Sequence, residues 1–216
     1  SANGYTQRIM EGEPIGTLSM YELAGYHDAG KATSYVPDAK TNARTGEVTE
    51  TPEYKDRTVV GNAQPDLNLG WNNTLTYKDL SLSMFFTGVF GNKIYNGTRA
   101  HYNAPDFFSG GKNVLKEFIY DRPYSDTYSN VPSTRWMEDG DYFRLKSLTL
   151  GYTFRKFNGW IQSAQLYFTC NNVFTITGYK GLDPEVNLGG IDPGVDYRWS
   201  NYPHTRTFMI GTKINF

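Results

Sequence analysis

The last dozen residues alternate. Phe208, Ile210, Thr212, Ile214 and Phe216 fall on one parity, and Thr207, Met209, Gly211, Lys213 and Asn215 on the other. Successive side chains of a strand point to opposite faces, so this period of two marks an extended segment with one apolar face and one small or polar face. The pattern recurs upstream. Leu67, Leu69, Trp71, Leu75 and Tyr77 alternate with Asn68, Gly70, Asn72, Thr74 and Thr76. Leu80, Leu82, Met84, Phe86 and Phe90 alternate with Ser81, Ser83, Phe85, Thr87 and Val89. Leu148, Leu150, Tyr152 and Phe154, and then Leu166, Phe168 and Cys170, do the same against Ser, Thr, Gly, Gln, Tyr and Asn. A weaker segment runs from Pro14 to Gly25, which brings the expectation to roughly six strands. Most extend for about ten residues or more, against roughly five or six in ordinary globular domains. A tilted strand of about 9–11 residues crosses a bilayer.

The connections alternate in length. Tyr77-Lys78-Asp79-Leu80 reads as a tight turn, and Arg155 to Ser163, with Asn158-Gly159 inside it, as a short one. Between them lie long segments, near 27–65, 92–141 and 175–204. Compact domains seldom carry structureless loops beyond ~12–15 residues. Outer-membrane barrels do, with short periplasmic turns and long extracellular loops. With Phe216 at the periplasmic rim, both short turns fall on that side and all three long loops outside. A Lys on the lipid face at mid-membrane costs about 2–4 kcal/mol. The Phe208–Phe216 parity therefore faces lipid, while Lys213 and Asn215, together with Asn68, Asn72 and Thr74, line the lumen. The expected fold is all-β, an antiparallel transmembrane β-barrel segment of about six C-terminal strands with long extracellular loops. Closed single-chain barrels start at about eight strands, so the segment belongs to a larger barrel or an oligomer. A β-sandwich with one solvated face shows the same alternation and is the competing architecture.

Composition narrows the function classes. The 216 residues include 17 Tyr, 13 Phe and 4 Trp, with 22 Gly and 10 Pro for turns. Against 22 acidic residues stand 21 basic ones, which excludes nucleic-acid binding through bulk charge. No apolar run approaches the ~20 residues of a spanning helix. The one cysteine, Cys170, sits on an apolar parity as a small hydrophobe. The chain opens on Ser1 without a signal-peptide pattern, as a processed or truncated product does. His27, His101 and His204 lie far apart in loops, and Asp139-Gly140-Asp141 and Asp183-Pro184-Glu185 read as turns. No catalytic constellation emerges, so no enzyme, cofactor or metal site is expected. A short helix is expected over Val114–Tyr120. Loop aromatics are the candidates for ligand or partner contact, and equally suit packing of loop against loop: Tyr95, Tyr102, Phe107 and Phe108 in the middle connection, and Tyr179, Tyr197, Trp199 and Tyr202 in the last. Tyr77, Tyr152, Phe154, Phe157 and Trp160, near the short turns, fit an interfacial aromatic belt.

Several stretches resemble one family. They include Gly12-Glu13-Pro14-Ile15-Gly16, the run Asp56 to Pro65 (DRTVVGNAQP), Asn72-Asn73-Thr74, Tyr77-Lys78-Asp79-Leu80 and Gly88-Val89-Phe90-Gly91-Asn92. More specific are Glu138 to Tyr152 (EDGDYFRLKSLTLGY), Asn171 to Glu185 (NNVFTITGYKGLDPE) and Tyr202 to Phe208 (YPHTRTF). Together they resemble the C-terminal part of the SusC/RagA family of TonB-linked outer-membrane proteins. The resemblance implies a barrel of about 22 strands, of which this chain, over 1–216, supplies the last strands, with the plug domain and earlier strands absent. It implies an importer of oligosaccharides or peptides in the cell outer membrane. The partners it implies are a SusD-like surface lipoprotein, TonB through the missing N-terminal region, and outer-membrane lipid. Phe216 resembles the terminal aromatic read as a barrel-assembly signal. Related loops carry an acidic run able to hold calcium, but here Lys40 and Arg44 stand in that stretch, so no metal site is carried over. The rival functions are a secreted carbohydrate-binding β-sandwich and a non-transporting adhesin barrel.

Overall fold

The computed structural model describes residues 6–26, 32–37, 43–102, 110–111, 113, 116, 131–155, 160–186, 193–196 and 202–216. Along the chain these form β1 (Thr17–Tyr21), β2 (Leu23–Tyr26), β3 (Ala32–Pro37), β4 (Arg44–Thr49), β5 (Arg57–Asn62), β6 (Leu67–Tyr77), β7 (Leu80–Phe90) and β8 (Lys93–Asn96). There follow α1 (Gly97–Tyr102), β9 (Met137–Asp139), β10 (Tyr142–Phe154), β11 (Ser163–Thr177), β12 (Val195–Asp196) and β13 (Thr207–Asn215). The chain divides into two compact units. One comprises residues 66–90, 141–178 and 203–216, and the other residues 1–65, 91–140 and 179–202.

The first unit is a single antiparallel sheet in the order β13-β11-β10-β7-β6. Its strands have 9, 15, 13, 11 and 11 residues, long enough to cross a bilayer when tilted. Five of the expected strands are therefore found in one sheet, and the register carries their alternation straight across it. Leu75, Leu82, Leu150, Phe168 and Ile210 form one cross-strand row. The next residues on the other face form the row Thr74, Ser83, Thr149, Thr169 and Met209. β10 carries a bulge between Leu145 and Ser147, and β11 answers it near Asn172, which takes φ +53. An extra residue shifts the pleat by one. Phe143 and Leu145 thereby rejoin the apolar face, and Phe143, Phe86 and Trp71 stack across three strands with centroids 5.4 and 5.1 Å apart.

Among the described residues, neither face is covered along most of its length. Phe208, Ile210 and Phe216 are 63, 77 and 77% exposed, and Leu67, Trp71, Leu75, Leu150, Tyr152, Leu166 and Ile176 are exposed too. A sandwich buries one face of each sheet against the other; here most of the apolar parity stays open or half-buried, with Leu145 and Cys170 the covered members.

The second unit corrects the expectation of long structureless loops. The connections contain β3–β5, β8, α1, β9 and β12, and together with β1 and β2 these strands are arranged as β1-β5, β2-β3-β4 and β12-β8-β9. The weak strand expected over 14–25, as one of roughly six barrel strands, is instead two short strands outside the five-stranded sheet, β1 paired with β5 and β2 paired with β3. A buried core of Leu18, Met20, Tyr95, Ala100, Trp136 and Val195 unites segments distant in sequence, with Val60 and Met137 packed against it. Apolar burial of about 25 cal/mol per Å2 explains why such long connections order themselves. The helix expected over 114–120 falls, apart from Lys116, outside the described residues.

β12 reaches β8 through a parallel ladder, and the Tyr95 amide donates to the Gly194 carbonyl at 2.9 Å. Gly194 takes φ +70, and a Cβ there would come within 2.5 Å of Ala63 Cβ and 2.9 Å of the Lys93 carbonyl. Gly194→Ala is therefore expected to destabilise this unit by about 1–3 kcal/mol, through strain and crowding together. The shift of the urea unfolding midpoint checks this.

Candidate functional site

Two surfaces carry chemistry, one in each unit. On the sheet, the polar face is a ladder of small hydroxyl and amide groups. Thr149 and Thr169 hydroxyls lie 2.9 Å apart, the Asn215 amide donates to Ser163 at 2.9 Å, and Asn171 donates to Thr207 at 3.4 Å. Near the long-connection end, Arg144 is buried, donates from Nε to the Thr175 hydroxyl at 2.9 Å and lies 5.3 Å from the Tyr142 ring. Asn68, Asn72, Thr74, Lys213 and Asn215 are all exposed on this same face. Phe85, Val89 and Met209 interrupt its polarity.

In the second unit, two carboxylates are hydrogen-bonded to residues that line a small cleft. The Tyr179 hydroxyl donates to Asp196 Oδ2 at 2.5 Å, and the Thr98 hydroxyl donates to Asp196 Oδ1 at 2.9 Å. Glu138 accepts three donors: Asn96 Nδ2 at 3.2 Å, Arg99 Nη1 at 2.9 Å and the Lys180 amide at 2.7 Å. Asn96 also accepts the Arg99 amide at 2.8 Å, closing the first turn of α1. The guanidinium groups of Arg99 and Arg135 lie 5.7 and 4.4 Å from the Trp136 ring. Burial requires this saturation, because a buried carboxylate short of donors is costly. The cleft has a volume of about 240 Å3 and is lined by Thr98, Arg99, Tyr102, Lys180 and Leu182, among others. Gly181 has no room for a Cβ, since the Tyr179 ring would lie within 2.4 Å of it.

Burial raises the pKa of Asp196, an effect the hydrogen bonds from Tyr179 and Thr98 oppose and the nearby Glu138 charge reinforces. Tyr179 is pushed well above the ordinary phenol value, first by burial and then by its bond to Asp196. It therefore remains a donor at any physiological pH.

The expected contact residues separate. Tyr102 is exposed at the end of α1 beside the cleft, and Tyr202 is exposed. Tyr95 and Tyr179 are interior, the packing alternative: Tyr95 fills the core, and Tyr179 packs with Ile94 and Val186 while its hydroxyl serves Asp196. Phe107, Phe108, Tyr197 and Trp199 lie outside the described residues, as do residues 38–42 of the 38–47 stretch weighed for calcium. The sequence reading missed Asp196, Glu138 and Arg99. Their partners stand 17 to 98 positions away, so nothing local marks them except Glu138, which belongs to the Glu138–Tyr152 stretch. Asp183, by contrast, forms the expected turn, accepting the Glu185 amide at 3.0 Å. Among the described residues no cluster of His, Cys, Asp or Glu is arranged to hold a metal.

Two outcomes follow for Asp196. Tyr179→Phe strips a donor from a buried carboxylate and should cost about 1–3 kcal/mol in the unfolding midpoint. Because the folded pKa of Asp196 is raised, the folded state holds the proton more tightly than the unfolded one. Its contribution to stability is then full below the ordinary value of 3.8 and is lost as pH rises through the raised folded value. Relative to Asp196→Asn, the native protein should lose stability across that rise and level off above it; a relative gain would contradict the assignment.

No family model matches the sequence. The chain is 30% identical, over 98% of its length, to TonB-dependent receptor P3 of Formosa agariphila. It is 30% identical to TonB-dependent receptor P26 of that organism and 27% identical to TonB-dependent receptor SusC of Bacteroides thetaiotaomicron, each over 74% of this chain. It spans 23, 18 and 16% of the length of these three proteins. Among solved structures, the RagAB peptide importer in its open-open state matches 99% of this chain with a TM-score of 0.72, at 23% identity over 24% of its own chain. A structure of the RagAB peptide transporter matches 93% of this chain with a TM-score of 0.68, at 23% identity over 23% of its own chain. The structural likeness speaks for the fold, and the sequence likeness for the lineage. The chain is a portion of a SusC/RagA-like TonB-dependent receptor.

Proposed function

We propose that this chain forms part of the wall and the extracellular connections of an outer-membrane, TonB-dependent nutrient importer. The observation that carries the reading is the open, continuous apolar face of the five-stranded sheet, backed by an equally open hydroxyl and amide face. Lipid suits the first and a wet lumen the second. In lipid every backbone polar group needs a partner within the protein. The outer edges of β6 and β13 therefore call for further strands, which the remainder of a larger barrel supplies. Lys213, Asn215, Asn68, Asn72 and Thr74 then face the lumen, and Phe216 sits at the periplasmic rim as the assembly signal.

The second unit contains the long connections. Its cleft, with Tyr102 at one wall, and the exposed Tyr202 are surfaces on which cargo or a SusD-like lipoprotein docks. The cargo is an oligosaccharide or a peptide. TonB engages a region of the protein outside this chain. The role of the segment is passive rather than catalytic: it walls the path and holds the outer connections.

The open apolar parity speaks against the secreted sandwich, which buries that parity between two sheets. An adhesin barrel differs in lacking a plug, so the sequence upstream in the same protein separates it from an importer.

The intact protein should sediment with outer membranes and resist salt and carbonate washing; release into buffer would overturn the reading. A paired substitution tests the faces. Ile210→Arg, mid-strand on the apolar face, should lower folding stability in bilayers by about 2–4 kcal/mol, while Thr74→Lys on the opposite face should be tolerated. Equal penalties in a liposome refolding assay would contradict the assignment.

A further inference from the structure

One end of the sheet concentrates positive charge beside aromatic rings. The short connections are the 77–80 turn and residues 155–162, and their described residues carry Lys78 and Arg155 against a single acid, Asp79. The chain as a whole has a net charge of −1, so this end departs from the average. Asp79 is already engaged: its carboxylate meets Arg155 Nε at 2.5 Å, and its carbonyl accepts the Thr153 amide at 2.8 Å.

Lys78 occupies the turn with φ +54, a conformation in which the turn itself selects Gly or Asn. Its ammonium lies 5.4 Å from the centroid of the Tyr77 ring. Tyr77, Leu80 and Tyr152 share one cross-strand row on the apolar face, Phe154 follows Tyr152 on the same parity, and all four are exposed. The Tyr152 and Phe154 rings meet edge to face at 4.8 Å. Trp160, in the second short connection, is 91% exposed.

We propose that this corner binds an anionic phospholipid of the leaflet beside the short connections, with Lys78 and Arg155 taking the headgroup phosphate. The acyl chains lie along Leu80, Tyr152 and the apolar rows beyond. The inference rests on the membrane-spanning reading above and adds to it a lipid preference and two residues that set it. The chemistry fits in three respects. Aromatic side chains with an apolar body and a polar tip settle at the headgroup level. Long cationic side chains extend from an apolar surface into that layer. Guanidinium offers phosphate a fork of donors, and ammonium offers a compact charge. The excess of cations over Asp79 leaves the corner complementary to negative charge.

The test uses the intact protein, extracted from membranes into a non-ionic detergent. Its thermal unfolding is followed as dioleoylphosphatidylglycerol, dioleoylphosphatidylcholine or inorganic phosphate is titrated in. Phosphatidylglycerol should raise the midpoint saturably and at lower concentration than phosphatidylcholine, and inorganic phosphate should leave it unchanged. Lys78→Gln and Arg155→Gln should each weaken the phosphatidylglycerol effect about fivefold, Arg155→Lys should keep most of it, and Asp79→Asn should strengthen it. Lys78 has no ion pair in the turn, so Lys78→Gln reads binding even if Arg155→Gln folds poorly. Equal responses to the two lipids, an unchanged response in Lys78→Gln, or a full response to inorganic phosphate would overturn the proposal. Release by carbonate washing would instead sink the membrane reading beneath it, whereas a membrane-retained protein indifferent to lipid charge sinks this proposal alone.

Discussion

A single sheet with two unlike faces, neither covered along most of its length among the described residues, is the constraint from which the rest of the structure follows. An isolated sheet of five strands in water would leave Leu75, Leu82, Leu150, Phe168 and Ile210 hydrated on one side and gain nothing from their alignment. Each such side chain forfeits roughly 1.5–3 kcal/mol when left exposed to water. The row makes sense when a solvent as apolar as the side chains meets it. The Ser, Thr, Asn and Gly residues of the opposite row make sense when water does. Strand length, register and bulge all serve to keep those two rows apart over the height of a bilayer.

The bulge in β10 illustrates how strictly this is kept. Without the extra residue at Lys146, Phe143 and Leu145 would share a face with Ser147 and Thr149. With it, they rejoin Leu148 and Leu150, and the stack Trp71–Phe86–Phe143 continues the apolar band toward the long connections. A one-residue slip normally sends a strand's whole apolar set to the wrong side; here the slip repairs a phase break already written into the chain.

The second unit obeys a different constraint. Its segments are long and rich in polar residues, and among the described residues two clusters of buried side chains hold them, six with Trp136 and three with Ile94. Its buried carboxylates therefore have donors from several connections at once. Glu138 gathers Asn96, Arg99 and the Lys180 amide, and Asp196 gathers Tyr179 and Thr98. Loss of one donor leaves the others facing an uncompensated charge, so such a network behaves as a unit. It ties the 91–140 segment to the 179–202 segment and shapes the lining of the cleft where Tyr102 stands. Tyr179 shows why an aromatic in a loop is a poor guide to a binding surface: its ring is covered and its hydroxyl is committed to a buried acid.

What the sequence determined alone was the sheet. Alternation is a local property, set by the geometry of a strand, and Leu67–Tyr77, Leu80–Phe90 and Phe208–Phe216 display it without help from neighbours. The tight turn at Lys78-Asp79 was equally plain, and so was the side on which Lys213 and Asn215 fall. The family was legible too, because its motifs are contiguous runs. The tertiary structure decided what contiguity does not encode. Residues 14–65 and 91–140 hold short strands and little alternation, and they fold because Leu18, Tyr95, Trp136 and Val195 meet from four separate segments. The parity change at Lys146 depends on β7 and β11 lying alongside β10. Asp196 and Glu138 acquire their roles only when donors up to 98 positions away arrive beside them. Burial and hydrogen-bond partnership are properties of the assembled chain, and no period along the sequence carries them.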